Sequence, residues 1–199
     1  MKKKHLPHPK PEIPKPKAIR TGYEEYSVAG FYQKFGDDYR NPQEADVRQV
    51  LELALAAINQ LISKDNLILD LACGSGEVTL TLINLGYTNI DGIDPYTYNA
   101  YYQRTGKIAE TYTFEDIANG VLNSRNYNLI ICSFALHLLA ESRLPALLYQ
   151  ISRIASNLII ITPHKRPEFK PSWGWICRQE IIFNRVRARC YQYIYPEKT

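Results

Sequence analysis

The sequence lacks any apolar stretch long enough to cross a membrane. Runs such as Leu158–Ile161 are far shorter than the roughly 20 residues of a spanning helix, and the first residues are lysine- and proline-rich instead of apolar. We therefore expect a soluble, cytoplasmic protein.

The chain also has little cysteine, with residues 73, 132, 177 and 190 in neither C-x-x-C nor zinc-ligand spacing. That spacing disfavours a disulfide scaffold or metal site and predicts reduced core thiols.

Two phosphate-binding patterns are missing as well. A glycine loop follows an apolar strand in Leu69–Glu77, but the dinucleotide fingerprint G-x-G-x-x-G needs a third glycine where this chain has Thr79. The pattern G-x-x-x-x-G-K-[ST] also fails, because no Gly-Lys-Ser follows the loop. These absences disfavour an NAD oxidoreductase and a nucleoside-triphosphate hydrolase.

The loop that is present reads Asp70-x-x-x-Gly74-x-Gly76. Its two glycines permit a sharp turn and a close approach of the backbone to a ligand, at the start of a helix with unpaired N–H groups. This pattern resembles the first motif of class I S-adenosylmethionine (SAM) methyltransferases. The resemblance implies SAM as the cofactor, with Asp70 attracting its cationic amino-acid end directly or through water.

Strands and helices alternate along the chain. Apolar patterns predict helices at 26–35, 42–61, 77–85, 96–104, 115–122 and 142–155, and strands at 67–71, 90–93, 110–114, 128–133 and 158–162. This alternation predicts a doubly wound parallel α/β sheet. Segments 176–183 and 186–194 flank Asn184-Arg185 and predict an antiparallel hairpin. A mainly parallel seven-stranded sheet with such a hairpin is similar to the class I methyltransferase fold, and the resemblance covers residues 44–195.

The resemblance also implies where the cofactor binds, namely beyond the carboxyl ends of the strands. There, Asp94 is expected to accept hydrogen bonds from the ribose hydroxyls, and Asp116 with the Ile117 amide to read the adenine. Each carboxylate could instead be a helix cap or a solvated turn. The predicted cofactor-binding residues are Asp70, Ala72, Cys73, Gly74, Gly76, Asp94, Pro95, Asp116, Ile117, Ser133 and Phe134.

Two histidines are candidates for proton transfer from an oxygen or nitrogen acceptor. His137 follows the fourth predicted strand and His164 follows the fifth, and either can act as a base near neutral pH. His137 could equally be a partly buried helix residue. The predicted substrate-binding residues are Tyr26, Tyr32 and Arg40 from an aromatic N-terminal segment, and Lys165, Arg166 and Trp173 from the segment after the fifth strand.

Charge is distributed unevenly. Residues 1–20 hold seven Lys or Arg against Glu12, a net charge of +6, and residues 164–199 carry +5, which leaves −7 for residues 21–163. Five prolines among the lysines predict a basic, disordered tail over 1–20. The tail could be an electrostatic arm for RNA or another polyanion, or it could be a solubilising leader. We expect residues 21–199 to form a single domain in which 21–62 is a helical lid.

The last strand offers a second basic surface. Arg185, Arg187, Arg189, Tyr191, Tyr193 and Tyr195 share one parity and are predicted to face outward. Such a face can bind phosphates and stack on bases, or it can be a solvated face with packed tyrosines.

Taken together, these features predict a SAM-dependent methyltransferase with a small-molecule oxygen or nitrogen acceptor. An RNA methyltransferase and a non-catalytic partner subunit with this fold are the alternatives.

Overall fold

The computed structural model describes residues 19–194. Most of the predicted basic tail therefore lies outside the described residues, as does Tyr195. The helices are α1 Ile19–Phe35, α2 Glu44–Ala57, α3 Glu77–Asn84, α4 Tyr98–Thr105, α5 Phe114–Ala118 and α6 Leu144–Ile154. The strands are β1 Ile68–Leu71, β2 Ile90–Ile93, β3 Ala109–Glu110, β4 Leu129–Ser133, β5 Asn157–Thr162, β6 Trp175–Phe183 and β7 Val186–Tyr193.

All seven strands form one sheet in the order β3-β2-β1-β4-β5-β7-β6. Strands β1 to β5 are parallel, whereas β7 runs antiparallel to both β5 and β6. The predicted mainly parallel sheet with an antiparallel C-terminal hairpin is confirmed. The strand order reverses between β1 and β4, which opens a crevice beyond their carboxyl ends.

Helices cover both faces of the sheet. Helix α2 buries Val47, Val50, Leu51, Ala54 and Leu55, which recur at helical spacing and pack with α3 on one face. Helix α6 packs on the other face with the same kind of apolar stripe. Strand β4 is buried on both sides from Leu129 to Cys132, as expected for a central parallel strand. No helix within residues 19–194 is both long and apolar enough to cross a membrane.

Strand β3 is shorter than predicted because a helix begins where the strand was expected to continue. The Thr113 hydroxyl accepts a hydrogen bond from the Asp116 amide at 3.1 Å, and the Asp116 carboxylate accepts one from the Thr113 amide at 2.8 Å. This reciprocal pair is a capping box that starts α5 at Phe114. Residues from Thr113 onward are therefore not available to the strand, which ends at Glu110.

The prediction that one parity of the last strand faces outward is wrong. Strand β7 lies between β5 and β6, and only 6% of Arg189 and 5% of Tyr191 is exposed. The other parity, which includes Ala188 and Cys190, packs on the α2 side. One face is covered by α2 and the other by the loop after β5, whose Phe169 ring stacks on Tyr191. Cys177 on the edge strand β6 is exposed, contrary to the expected core thiol, and all four cysteines are free.

Candidate active site

A cavity of about 370 Å³ lies beyond the carboxyl ends of β1, β2 and β4. The residues that line it come from the following segments: 29–41, 70–78, 93–97, 112–115 and 133–139. Eight of the predicted cofactor-binding residues are among them: Asp70, Ala72, Cys73, Gly74, Asp94, Pro95, Ser133 and Phe134. The cavity therefore lies at the predicted crevice.

The glycine loop turns sharply at the floor of this cavity. Gly74 and Gly76 have φ angles of +56° and +90°, in the left-handed region that favours glycine. A Cβ on Gly76 would lie 2.5 Å from the Thr105 methyl group. Gly76 itself does not line the cavity; it is the residue before α3, and its amide donates to the Cys73 carbonyl at 2.8 Å. The loop thus directs the start of α3 toward the cavity.

Asp70 ends β1 as a fully buried carboxyl group. Its Oδ2 accepts hydrogen bonds from the Thr79 amide at 3.1 Å and the Thr79 hydroxyl at 2.7 Å. Its Oδ1 is buried and has no hydrogen-bond partner among the described residues. Burial raises the pKa of Asp70 to about 7. Thr79, which stands where the third glycine would be, therefore anchors Oδ2 of this carboxyl group, while Oδ1 stays buried without a partner among the described residues.

Asp94 ties two loops together at the end of β2. Its Oδ1 accepts hydrogen bonds from the Tyr96 and Thr97 amides, each at 2.9 Å, and its Oδ2 accepts one from the Gly74 amide at 3.1 Å. The Thr97 hydroxyl in turn donates to the Gly74 carbonyl at 2.8 Å. Burial raises the pKa of Asp94 despite these donors. Asp94 is thus a rigid acceptor in the cavity wall.

Glu77 lines the cavity but is not among the site residues predicted from the sequence. Its Oε1 accepts hydrogen bonds from the Ser75 hydroxyl at 2.6 Å and the Asn41 amide at 3.2 Å, and lies 3.7 Å from Nη1 of Arg104. An acid at the first position of a helix is favoured by the helix dipole, which was the available signal. Contact with Asn41 depends on tertiary structure. Glu77 therefore joins the chain before α2 to the glycine loop.

Asp116 and Ile117 do not line the cavity. The Asp116 carboxylate closes the capping box of α5, where hydrogen bonds from Thr113 lower its pKa, and Ile117 is buried in the core. Their expected place at the cavity is taken by the preceding residues, which include Phe114 and Glu115. Local helix capping accounts for Asp116.

Aromatic side chains close one side of the cavity. Tyr32 of α1 lies edge-on to Tyr39, with ring centroids 5.3 Å apart, and stacks on Tyr96 at 6.2 Å. All three line the cavity. The other two predicted substrate residues of this segment, Tyr26 and Arg40, do not: Tyr26 packs on Phe35, and Arg40 is exposed.

The two predicted catalytic histidines lie side by side. The rings of His137 and His164 meet edge to face, with centroids 4.7 Å apart, although neither residue lines the cavity. Burial, together with the charge of His164, lowers the pKa of His137 to about 4. Its Nδ1 is buried and has no hydrogen-bond partner among the described residues. His137 therefore carries no charge near neutral pH and directly precedes the cavity-lining Leu138.

The remaining predicted substrate residues lie outside the cavity. Lys165 and Arg166 are exposed in the loop after β5. Trp173 is half-buried near Phe169, with ring centroids 6.2 Å apart. The loop contains a short helical turn at Pro171–Trp173.

Known proteins share this sequence pattern and this fold. A family model of methyltransferase domains matches residues 68–157. A protein of Schizosaccharomyces pombe, uncharacterized protein C17A5.05c, is 34% identical over 80% of this chain and 80% of its own length. The chain is a class I SAM-dependent methyltransferase. This methyltransferase uses SAM as its cofactor.

Two solved structures superpose on most of the methyltransferase. Magnesium protoporphyrin IX methyltransferase from Synechocystis PCC 6803, with bound SAM, has a TM-score of 0.55 at 17% identity, covering 88% of this chain and 95% of that chain. The 16S rRNA methyltransferase RmtF, in complex with S-adenosyl-L-homocysteine, has a TM-score of 0.54 at 13% identity, covering 89% and 82%. These similarities concern the fold.

The cavity of the methyltransferase fits a cationic cofactor. SAM has an ammonium and a sulfonium against one carboxylate. Four carboxyl groups line the cavity, namely those of Asp70, Glu77, Asp94 and Glu115. Within residues 19–194, no Lys, Arg or His lines it. The unpartnered Oδ1 of Asp70 supplies a buried acceptor. The lining thus complements the net positive charge of SAM.

Proposed function

We propose that this methyltransferase transfers the methyl group of SAM to an oxygen or nitrogen atom of a small molecule. The observation that carries this proposal is the His137–His164 pair beside the β4 end of the cavity. Oxygen and nitrogen acceptors can require loss of a proton, and His137 is an unprotonated imidazole whose Nδ1 has no partner in the described chain. We assign the role of proton acceptor to the His137 imidazole.

We further propose that the acidic residues at the strand ends hold the cofactor. Asp70, whose Oδ1 has no partner among the described residues, would hold the SAM ammonium, and Glu77 would add to the negative charge there. Asp94 would accept a ribose hydroxyl with the one lone pair of Oδ2 that its three amide donors leave open. Ser133 and Phe134, at the end of β4, would line the methyl-transfer region. The support for this arrangement is that all five residues line one cavity.

Methyl transfer from a sulfonium is an in-line displacement, so catalysis depends mainly on alignment and on exclusion of water. When bound, SAM supplies the electrophilic methyl group. Phe134, Leu138 and Leu139 give the cavity an apolar lining, and Tyr32 and Tyr39 add aromatic rings to it. These side chains restrict water.

An RNA acceptor is the second candidate. The +6 charge of residues 1–20 favours it, and so do the exposed Lys165 and Arg166. The hairpin argues against it, because Arg187 and Arg189 are paired with Glu180 and Arg189 is buried. Fewer cations of β7 are therefore available for phosphates than the sequence suggested.

The test is to incubate the full chain with methyl-labelled SAM and fractionated cell extract, with and without ribonuclease. We expect label in small metabolites in both samples. Label found in RNA and lost with ribonuclease would replace the small-molecule proposal with the RNA one. His137→Asn should lower transfer by about 100-fold or more, whereas Asp65→Asn, an exposed carboxylate, should not change it. SAM affinity, measured by calorimetry, should be unchanged in both variants, and equal transfer rates would remove His137 from the mechanism.

A further inference from the structure

We propose that Arg189 is a positioning residue that holds the loop of residues 163–170, here called the acceptor loop, so that His164 lies against His137. The proposal rests on the proposed function, because it assigns Arg189 a part in placing the proton-accepting pair. Arg189 itself contacts neither histidine ring. Its effect passes through the backbone of the acceptor loop.

The guanidinium of Arg189 donates hydrogen bonds in three directions. Its Nε donates to Oε1 of Glu180 at 2.7 Å, its Nη1 to the carbonyl of Pro167 at 2.9 Å, and its Nη2 to the carbonyl of Lys165 at 2.7 Å. The side chain is 7% exposed. A planar fork with fixed donors can bind two carbonyls and a carboxylate at once, which a lysine ammonium does far less well. This contact set is specific to arginine.

The acceptor loop has few other anchors. It forms no strand, and among the described hydrogen bonds its backbone carbonyls are held across the sequence only by Arg189. The His164 amide donates to the nearby Thr162 hydroxyl at 3.1 Å, which is a local contact. Further along, the Phe169 ring stacks on Tyr191 at 4.3 Å between centroids. Arg189 and Tyr191 share one face of β7, so this face fixes both halves of the loop.

The anchored part of the loop adjoins the histidine pair. Lys165, whose carbonyl Arg189 binds, directly follows His164, whose ring lies 4.7 Å from that of His137. His164 is also the titratable group whose charge acts on His137. Release of the loop would move this charge away and change the environment of the imidazole that we propose to accept the proton. Loop anchoring and proton transfer are thereby linked.

Arg187 offers a matched control. It lies on the same strand two residues earlier and also pairs with Glu180, with its Nη1 3.3 Å from Oε2. Among the described hydrogen bonds it has none to the acceptor loop. Arg187→Met removes the same charge and the same kind of ion pair without removing the loop contacts.

The experiment compares Arg189→Met, Arg189→Lys and Arg187→Met in the full chain. The imidazole pKa values of His137 and His164 are measured by NMR, with His137→Asn and His164→Asn for assignment. We expect Arg189→Met to raise the pKa of His137 toward its ordinary value of 6.5 and to shift the pH profile of kcat/KM in the same direction. Methyl transfer should fall about tenfold or more, whereas SAM affinity should stay within about twofold. Arg187→Met should leave all four quantities unchanged.

A purely structural role gives a different result. It would lower the melting temperature of Arg189→Met and leave the His137 pKa and the pH profile unchanged, and this result would overturn the proposal. The proposal would also be overturned if Arg187→Met changed the His137 pKa and the pH profile as much as Arg189→Met. If Arg189→Met does not fold, Arg189→Lys keeps the charge but not the fork and should show the same direction of change. If the unaltered chain methylates no small molecule, the proposed function fails, while the NMR titration still decides whether Arg189 positions His164.

Discussion

Neutralising Asp70 should stabilise the protein and weaken its binding of SAM. The pKa of this buried carboxyl group is about 7, against an ordinary value of 3.8. Between these two pH values the folded chain keeps a proton on Asp70 that the unfolded chain has lost. The free energy of unfolding therefore falls as the pH rises through this window, by up to about 1.4 kcal/mol per pH unit and roughly 4 kcal/mol in all.

In Asp70→Asn this pH-dependent loss should be absent. The carboxamide oxygen can still accept the two hydrogen bonds from Thr79, but its N–H₂ group replaces the unpartnered Oδ1. A buried donor without a partner costs about 1–3 kcal/mol. We therefore expect the variant to be roughly 1–3 kcal/mol more stable than the unaltered protein at pH 8.

The assay is urea unfolding between pH 5 and 8, with Asp65→Asn as the exposed control just before β1. Asp65→Asn should keep the pH slope of the unaltered protein. Calorimetry at pH 8 should show weaker SAM binding for Asp70→Asn alone. Parallel stability curves for Asp70→Asn and the unaltered protein, or a less stable Asp70→Asn at pH 8, would refute the reasoning from burial.

Three other changes separate the roles of site residues. Gly76→Ala should reduce the free energy of unfolding by about 1–3 kcal/mol and also weaken SAM binding, as measured by urea unfolding and calorimetry. Gly86→Ala is the control, because Gly86 has a similar φ of +87° but no atom within 4 Å of an added Cβ, so the difference between the two variants reports the steric clash at Gly76. Asp116→Ala should lower the melting temperature, because the helix cap is lost, while SAM affinity stays unchanged. A large loss of SAM affinity would instead support the predicted contact of Asp116 with adenine. His137→Phe should make the free energy of unfolding fall less as the pH is lowered from about 6.5 to 4. In this range the unfolded chain gains a proton on the His137 imidazole, whereas the folded chain, in which the pKa of His137 is about 4, does not. Equal acid unfolding curves for His137→Phe and the unaltered protein would contradict this.

Much of the fold could be predicted because it depends on local patterns. The alternation of apolar strands and amphipathic helices led to the parallel sheet, and the turn at Asn184-Arg185 led to the hairpin. The end of β3 was placed too late, since a capping box competes with strand extension there. The same local competition explains why Asp116, expected at the adenine, instead starts a helix.

Strand β7 shows what an alternating sequence pattern can predict and what it cannot. Alternation along β7 correctly separates two faces, but it does not reveal whether either face is covered, because that depends on which helices and loops pack on it. Arg189 was predicted to face outward and is instead held between Glu180 and two loop carbonyls. Its basic charge was visible in the sequence, whereas its partners were not.

The sequence by itself determined the glycine loop and the carboxylates Asp70 and Asp94 at strand ends, since each depends on residues a few positions apart. Tertiary structure alone decided which other residues line the cavity. Glu77 meets Asn41 across 36 positions of sequence, and Tyr32 meets Tyr96 across a longer interval. The same holds for His137 and His164, which come together because β4 and β5 are neighbouring parallel strands whose carboxyl ends lie at one edge.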